Sequence, residues 1–262
     1  MKRSHPLAQH AKAWVAVFMA WAAGFVDAAC WLAIERVYTS HMTGNTASFA
    51  RSVVEGNWSR GFLYGWVILP FMAGLIYSAA VIKASRRRGI HSSFSIALTT
   101  EVLALAAFIG LASGSQARGR WMVYLLLALP AAAMGMQTVT VTRINGLRVY
   151  TTYLTGSLSK CAEAVVDFAF WFRDRTRGRS WKRLQLVLLV TPRHKRLQHA
   201  ALTAGLWVGF FAGATSGVWA EGRFAYAALI APIGVLIGAT VVDLARPVAA
   251  ADDPPAHRQE RF

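Results

Sequence analysis

Acidic residues are scarce in this chain: 12 aspartates and glutamates stand against 28 lysines and arginines, and charged residues make up only 15% of its 262 positions. A soluble surface needs more, because about a quarter of an ordinary globular sequence is charged. Cysteine is nearly absent. With Cys30 and Cys161 alone, both in or beside apolar segments, neither a disulfide framework nor a paired-cysteine metal site is expected. Catalytic signatures are missing as well. The chain has no His-Glu-x-x-His, no nucleophile elbow and no pair of intramembrane aspartates at hydrolase spacing. An enzyme is therefore not expected, nor is a cofactor or a bound metal.

What the sequence does contain is apolar length. Hydrophobic residues make up 55% of it and the mean hydropathy is positive. Apolar runs of roughly 18 to 22 residues, enough to cross about 30 Å of hydrocarbon at 1.5 Å per residue, can be drawn at 13–34, 62–82, 95–113, 121–142, 200–219 and 224–243. The fold class expected is an all-α integral membrane protein of six transmembrane helices. The first run is too long for a signal peptide, and Asp27 spoils the lipoprotein-like Ala28-Ala29-Cys30, so no cleavage is expected.

Basic residues then set the orientation, since positively charged loops stay on the cytoplasmic side. Lys2, Arg3 and Lys12 precede the first helix, Lys83 and Arg86–Arg88 follow the second, and a dozen basic residues follow the fourth. Opposite loops are sparse in such charge. Both termini are thus expected in the cytoplasm, in a bacterial inner (cytoplasmic) membrane. Residues 1–12 form a cytoplasmic N-terminus, 13–113 and 121–243 two three-helix units, 173–199 a basic cytoplasmic insertion in the second, and 244–262 a tail expected to be disordered.

The net charge of +16 is explained by this topology, and no nucleic-acid partner is expected. Its strongest concentration is 173–196, where arginines and lysines surround the apolar Leu184–Val190. Such a segment suits anionic phospholipid headgroups, each basic residue contributing about 1 kcal/mol.

A nine-residue stretch occurs twice. Val37-Tyr38-Thr39-Ser40-His41-Met42-Thr43-Gly44-Asn45 returns as Val149-Tyr150-Thr151-Thr152-Tyr153-Leu154-Thr155-Gly156-Ser157, and the ungapped pairing through Val54 and Val166 holds eight identities in eighteen positions. Each copy follows a long apolar segment. Duplication at this scale points to two related halves, and because each half holds an odd number of helices they must lie in opposite orientations, a 3+3 inverted repeat. Thr, Ser, His, Gly and Asn at 39–46 and Thr, Gly and Ser at 151–157 favour turns and caps, with helices restarting over 46–54 and 158–172. A broken or re-entrant segment is expected after helices 1 and 4. Thr43, Gly44, Asn45, Thr155 and Gly156 could offer free backbone N–H groups to a polar solute there; the other reading is a surface turn capping an amphipathic helix.

Two carboxylates fall inside apolar segments, where an ionisable group costs several kcal/mol unless it meets a partner or water. Asp27 is either a solute or coupling group or a structural carboxylate bonded to a neighbour. Glu101, the second candidate for a solute or coupling group, lies nearer the cytoplasmic end and is read mainly as reaching water. Gln137 occupies nearly the place in the second half that Asp27 holds in the first, and is read as its uncharged counterpart. His41, near neutral pKa and beside a membrane carboxylate, could relay protons, or be a structural interfacial histidine. Asp243 and Arg246, three residues apart, share a helix face and are expected to pair. Gly205, Gly209, Gly213 and Gly217 recur every four residues, with Gly234 and Gly238 in the next helix. These are expected packing faces, within the chain or in a homodimer.

With Gly24 to Asp27, His41-Met42-Thr43-Gly44-Asn45, Gly135-Met136-Gln137 and Thr151 to Gly156 in view, the chain resembles the bacterial YoaK-like multi-pass membrane proteins, over roughly residues 13 to 245. Thr138 stands where similar sequences are expected to carry asparagine. That resemblance implies an inner-membrane protein of a family of unknown function and brings no substrate. From the residues, the expected function is a secondary transporter or permease of a small solute, with Asp27 as a candidate carrier of a coupling proton. A non-transporting scaffold or lipid-interacting protein is the alternative.

Overall fold

In lipid, a backbone must satisfy its own polar groups, and helices do so locally. The computed structural model describes residues 9–90, 92–114, 119–140, 142–144, 147–149, 152–177, 191 and 194–246. They form α1 (Gln9–Ala33), α2 (Met42–Val54), α3 (Trp58–Trp66), α4 (Ile68–Arg87), α5 (Ser93–Gly114), α6 (Arg120–Val139), a short hairpin β1 (Thr142–Ile144) and β2 (Leu147–Val149), α7 (Leu154–Thr176), α8 (Lys195–Phe224), a 3-10 turn (Ala225–Leu229) and α9 (Ile230–Ala245). The expectations for residues 1–8, for the tail from 247 and for 178–190 of the basic insertion lie outside the described residues.

Among the described residues, five stretches are long and apolar enough to cross a membrane: His10–Ala33, Trp58–Ser85, Phe94–Gly114, Arg120–Val139 and Lys195–Ala245. The last, of 51 residues, would measure about 76 Å as one straight helix, more than twice the hydrocarbon thickness. It is broken at Ala225, whose φ of 47° leaves helical space, and both resulting rods pack on α1. The second expected helix, 62–82, is interrupted at Val67: α3 ends at Trp66 and α4 starts at Ile68. Leu69, Ile76, Leu103, Phe211, Ile237 and Val241 are exposed, as suits side chains facing acyl chains. The protein is a helical, multi-pass membrane protein.

Between helices, lipid supplies no hydrophobic driving force, so close backbone packing has to hold them together. Along α8, Gly209, Gly213 and Gly217 press against the backbones of Val17, Trp21 and Phe25 of α1. The register rises on both helices, so they run parallel. From the other side, Gly24 of α1 sits on the Phe210 carbonyl and the Ala214 amide of α8. A second crossing has the same form: Gly74 of α4 lies on the Ala132 carbonyl and Met136 amide of α6, and Gly135 of α6 on the Phe71 carbonyl and Leu75 amide of α4. These two helix pairs carry the most extensive packing in the bundle. Gly205 meets only the Val17 side chain, and Gly234 and Gly238, expected to pack, face open space. Spacing of four marks a smooth face but does not say that a neighbour covers it.

One end of the bundle is ringed by aromatic groups. Trp66 donates its indole N–H to the Tyr124 carbonyl at 3.0 Å, Phe62 and Trp121 pack on the Tyr124 ring, and the Arg36 guanidinium lies 4.5 Å over Trp31. Such rings suit a membrane–water boundary. At the opposite end Asp243 of α9 caps α5: its Oδ2 accepts the Ser95 N–H at 3.0 Å and the Ser95 hydroxyl at 2.8 Å. Asp243 is buried to 1% exposure, where charge-assisted hydrogen bonds to donors at a helix start are strong.

A Cβ added at Gly24 or Gly135 would collide with a carbonyl oxygen of the facing helix. Gly24→Ala and Gly135→Ala are each expected to cost about 1–3 kcal/mol, read as a lowered midpoint of tryptophan-fluorescence unfolding in detergent. Gly238→Ala, with nothing near its Cβ, should leave the midpoint unchanged or raised.

Candidate functional site

Asp27 lies in α1 a turn and a half before its end, at 2% exposure. After Ala33 the chain leaves the helix through Glu35 and Arg36, both at positive φ, and folds back along α1. That return brings three consecutive residues onto the Asp27 carboxylate. Oδ1 accepts the Thr39 N–H at 2.8 Å, the Ser40 N–H at 2.7 Å and the Thr39 hydroxyl at 3.0 Å, while Oδ2 lies 2.6 Å from His41 Nδ1. Asp27 therefore has a full set of donors. Its bonds go to its own following loop rather than to another helix, and they fix where α2 begins.

That beginning differs from the sequence expectation. Helix α2 starts at Met42 and α7 at Leu154, so Thr43, Gly44 and Asn45, and Thr155 and Gly156, form first helical turns. The irregular backbone of the first copy is 34–41, ahead of the Thr-Gly-Asn stretch. Polar residues do favour helix starts, but once Asp27 and His41 hold the entry, the first turn can close over Thr43 and Gly44. Asn45 donates to the Tyr38 carbonyl at 2.7 Å, locking the turn from inside; its Oδ1 and the Ser40 hydroxyl are buried without a partner. The two starts have nearly the same entry geometry, His41 at φ −87°, ψ 66° and Tyr153 at φ −97°, ψ 75°.

In the second half the hydroxyl of Thr138 meets that of Thr152 at 2.8 Å, and Thr152 matches Ser40 in the repeated stretch. Thr138, not Gln137, thus does from α6 what Asp27 does from α1. Gln137 is fully buried and turns the other way: its Nε2 donates to the Met19 carbonyl of α1 at 2.9 Å, leaving Oε1 without a partner. Glu101 is also different from its expectation. It has 0% exposure, and neither carboxylate oxygen has a hydrogen-bond partner. It does not reach water, because α5 packs against α4, α6, α9 and the 3-10 turn and Glu101 faces inward.

Asp27 and His41 thus come together; Gln137 and Glu101 do not join them. Thr39, Ser40 and Thr138 were missed as partners, since their role depends on a chain reversal that residue type does not announce. Thr138 carries one available signal, its distance behind Gly135 matching that of Asp27 behind Gly24. Among the described residues no three His, Cys, Asp or Glu side chains gather as a metal site requires.

The family described as "Protein of unknown function (DUF1275)" matches residues 15–242. This chain belongs to that family. It is similar to "UPF0700 transmembrane protein YoaK" of Bacillus subtilis (strain 168), 25% identical over 153 residues, which are 58% of this chain and 67% of that protein. No solved structure matches the chain.

The hydrogen bond to Asp27 raises the His41 pKa above its usual 6.5, with burial opposing and the Asp27 charge assisting. A group raised on folding adds stability that is complete below its unfolded value and is lost as pH climbs through its folded value. Thermal stability should therefore fall as pH rises above about 6.5, and His41→Gln should flatten that fall. Asp27→Ala, which strands two backbone donors, is expected to cost about 2–4 kcal/mol, with Asp27→Asn milder; both are read as unfolding midpoints.

Proposed function

We propose that this protein is a secondary transporter of a small polar solute, built as two three-helix halves in inverted orientation in the bacterial inner membrane. The observation that carries the reading is the matched pair of glycine crossings. Gly24, Phe210, Gly213 and Trp21 at α1/α8 correspond in order and role to Gly135, Phe71, Gly74 and Ala132 at α4/α6. An operation that exchanges α1 with α6 and α4 with α8 also exchanges α2 with α7 and α5 with α9. Asp27 then maps to Thr138 and the start of α2 to the start of α7. Six crossings follow if α8 and α9 each span once, with the termini in the cytoplasm where the basic residues fall. In such folds solute sites lie near the midplane between the halves, which rock against each other on smooth faces.

A lipid-interacting scaffold is the second reading. It is favoured by the outer face of α7, where Val165, Val166 and Phe170 are exposed beside Arg173 and Arg175 at its end, a pattern suited to anionic headgroups. Under it, charge removal at 173–179 would abolish function with no solute bound.

The test has two arms. In a background lacking Cys30 and Cys161, a cysteine at Thr46 should react with a membrane-impermeant maleimide from outside intact cells, and one at Thr155 only after permeabilisation; equal labelling would end the inverted arrangement. Purified protein screened against amino acids, sugars, organic anions and nucleosides should show one ligand class that raises the unfolding midpoint, by about 2.7 kcal/mol at a hundredfold excess over Kd. If no class does so, the scaffold reading stands instead.

A further inference from the structure

Where the two proposed halves meet, three buried oxygens accept nothing: both of Glu101 and Oε1 of Gln137. A native interior rarely leaves such groups unmatched, and an unmatched carboxylate in an apolar surrounding is the costliest kind. All three are acceptors. What would satisfy them is a donor or a positive charge.

The two side chains share a setting. A cavity of about 10 Å³ is lined by Val15 and Met19 of α1, Phe94 and Leu98 of α5, Thr140 after α6, and Ala239 and Asp243 of α9. Glu101 is one turn beyond the wall residue Leu98 on the same face of α5, and Gln137 is one turn before the wall residue Thr140, which follows α6. Met19, a wall residue, receives the Gln137 amide. From the start of α5, Glu101 is about 12 Å in, close to the middle of a 30 Å hydrocarbon layer. A volume of this size holds about one water. It leaves no room for an organic solute.

Among the described residues, no hydrogen bond or ion pair reaches Glu101. The described ionisable side chains of the elements packed on α5 are Tyr77, Lys83 and Arg87 of α4, Arg120 and Tyr124 of α6, Tyr226 of the 3-10 turn and Asp243 of α9. Tyr77 bonds Thr100, Tyr226 packs on Phe108, and Asp243 is held by Ser95. Asp27, by contrast, is saturated by four donors.

We infer that Glu101 is the binding site for one small coupling cation, a proton or a sodium ion, and that Asp27 is a positioning residue for the loop. This deepens the transporter reading and rests on it for the word coupling, but cation binding can be measured without any transported solute. A binding group that must change occupancy each cycle cannot be permanently matched by protein donors, which is what separates Glu101 from Asp27.

The experiment is infrared difference spectroscopy of the full-length protein in lipid nanodiscs, following the carbonyl stretch of a protonated buried carboxyl while pH is varied in choline chloride and then in sodium chloride. A band that disappears as pH rises, is indifferent to sodium and is absent from Glu101→Gln identifies a proton site. A band lost at fixed pH on adding sodium but not choline, with one proton released to the medium, identifies a sodium site. Glu101→Asp should move the band rather than remove it, which keeps the test open if Glu101→Gln does not fold. Identical spectra for wild type and both variants would overturn the inference. A Glu101 band in a protein that binds no solute in the ligand screen would leave the cation site standing and remove only the transporter.

Discussion

Everything in this bundle depends on how closely two pairs of helix backbones approach. Side-chain hydrophobicity cannot bring helices together in a solvent as apolar as leucine, so α1 and α8, and α4 and α6, are held by contact at residues with no side chain to intervene. The reciprocal form matters: Gly24 receives Phe210 of α8 while Gly213 receives Trp21 of α1. Each helix is both ridge and groove at one level, which fixes the crossing against sliding along the axis. The remaining elements build on these two crossings, α5 and α9 lying between them, α2 packed on α3 and α7 on α8.

Held that way, the two ends of the bundle solve one problem with different chemistry. Each long helix, α1 or α6, must turn back and start a second helix beside it, and the entry to that helix must be pinned. In the first half a buried carboxylate does it, taking two backbone N–H groups, a hydroxyl and an imidazole. In the second a threonine hydroxyl meets another hydroxyl, and the loop is longer, carrying the β1–β2 hairpin. A charge-assisted anchor is about twice as strong as a neutral one. The α2 entry is therefore the stiffer of the two.

Much of this was legible in the sequence, for stateable reasons. Apolar length gave the helices, because hydrocarbon thickness fixes how many residues are needed. The doubled Val-Tyr-Thr and Thr-Gly stretch marked two equivalent helix starts, and the structure places them at Met42 and Leu154. Glycine spacing found the α8 face and passed over Gly74, while Gly234 and Gly238 meet nothing among the chain's described residues, because spacing reports a bare surface and only a neighbouring backbone makes it a contact. Gln137 and Glu101 were misread for a related reason. Their roles turn on a Met19 carbonyl and on what surrounds α5, and neither a backbone acceptor nor the lack of a partner is written in residue type.

The contrast between the two intramembrane acids is what the structure adds to the sequence. Position alone favours Asp27, which lies deep in an apolar helix just ahead of the repeated stretch. Satisfaction of hydrogen bonds reverses that ranking. Removing Asp27 strands donors in the loop and so must be felt as lost structure, whether or not anything is transported. Removing the Glu101 charge strands nothing and relieves a buried group of an unmet demand, so a protein without it should be at least as stable. Glu101 makes no hydrogen bond in the folded chain that would offset its burial, and that unmet demand is why the ligand proposed for it is small and positive.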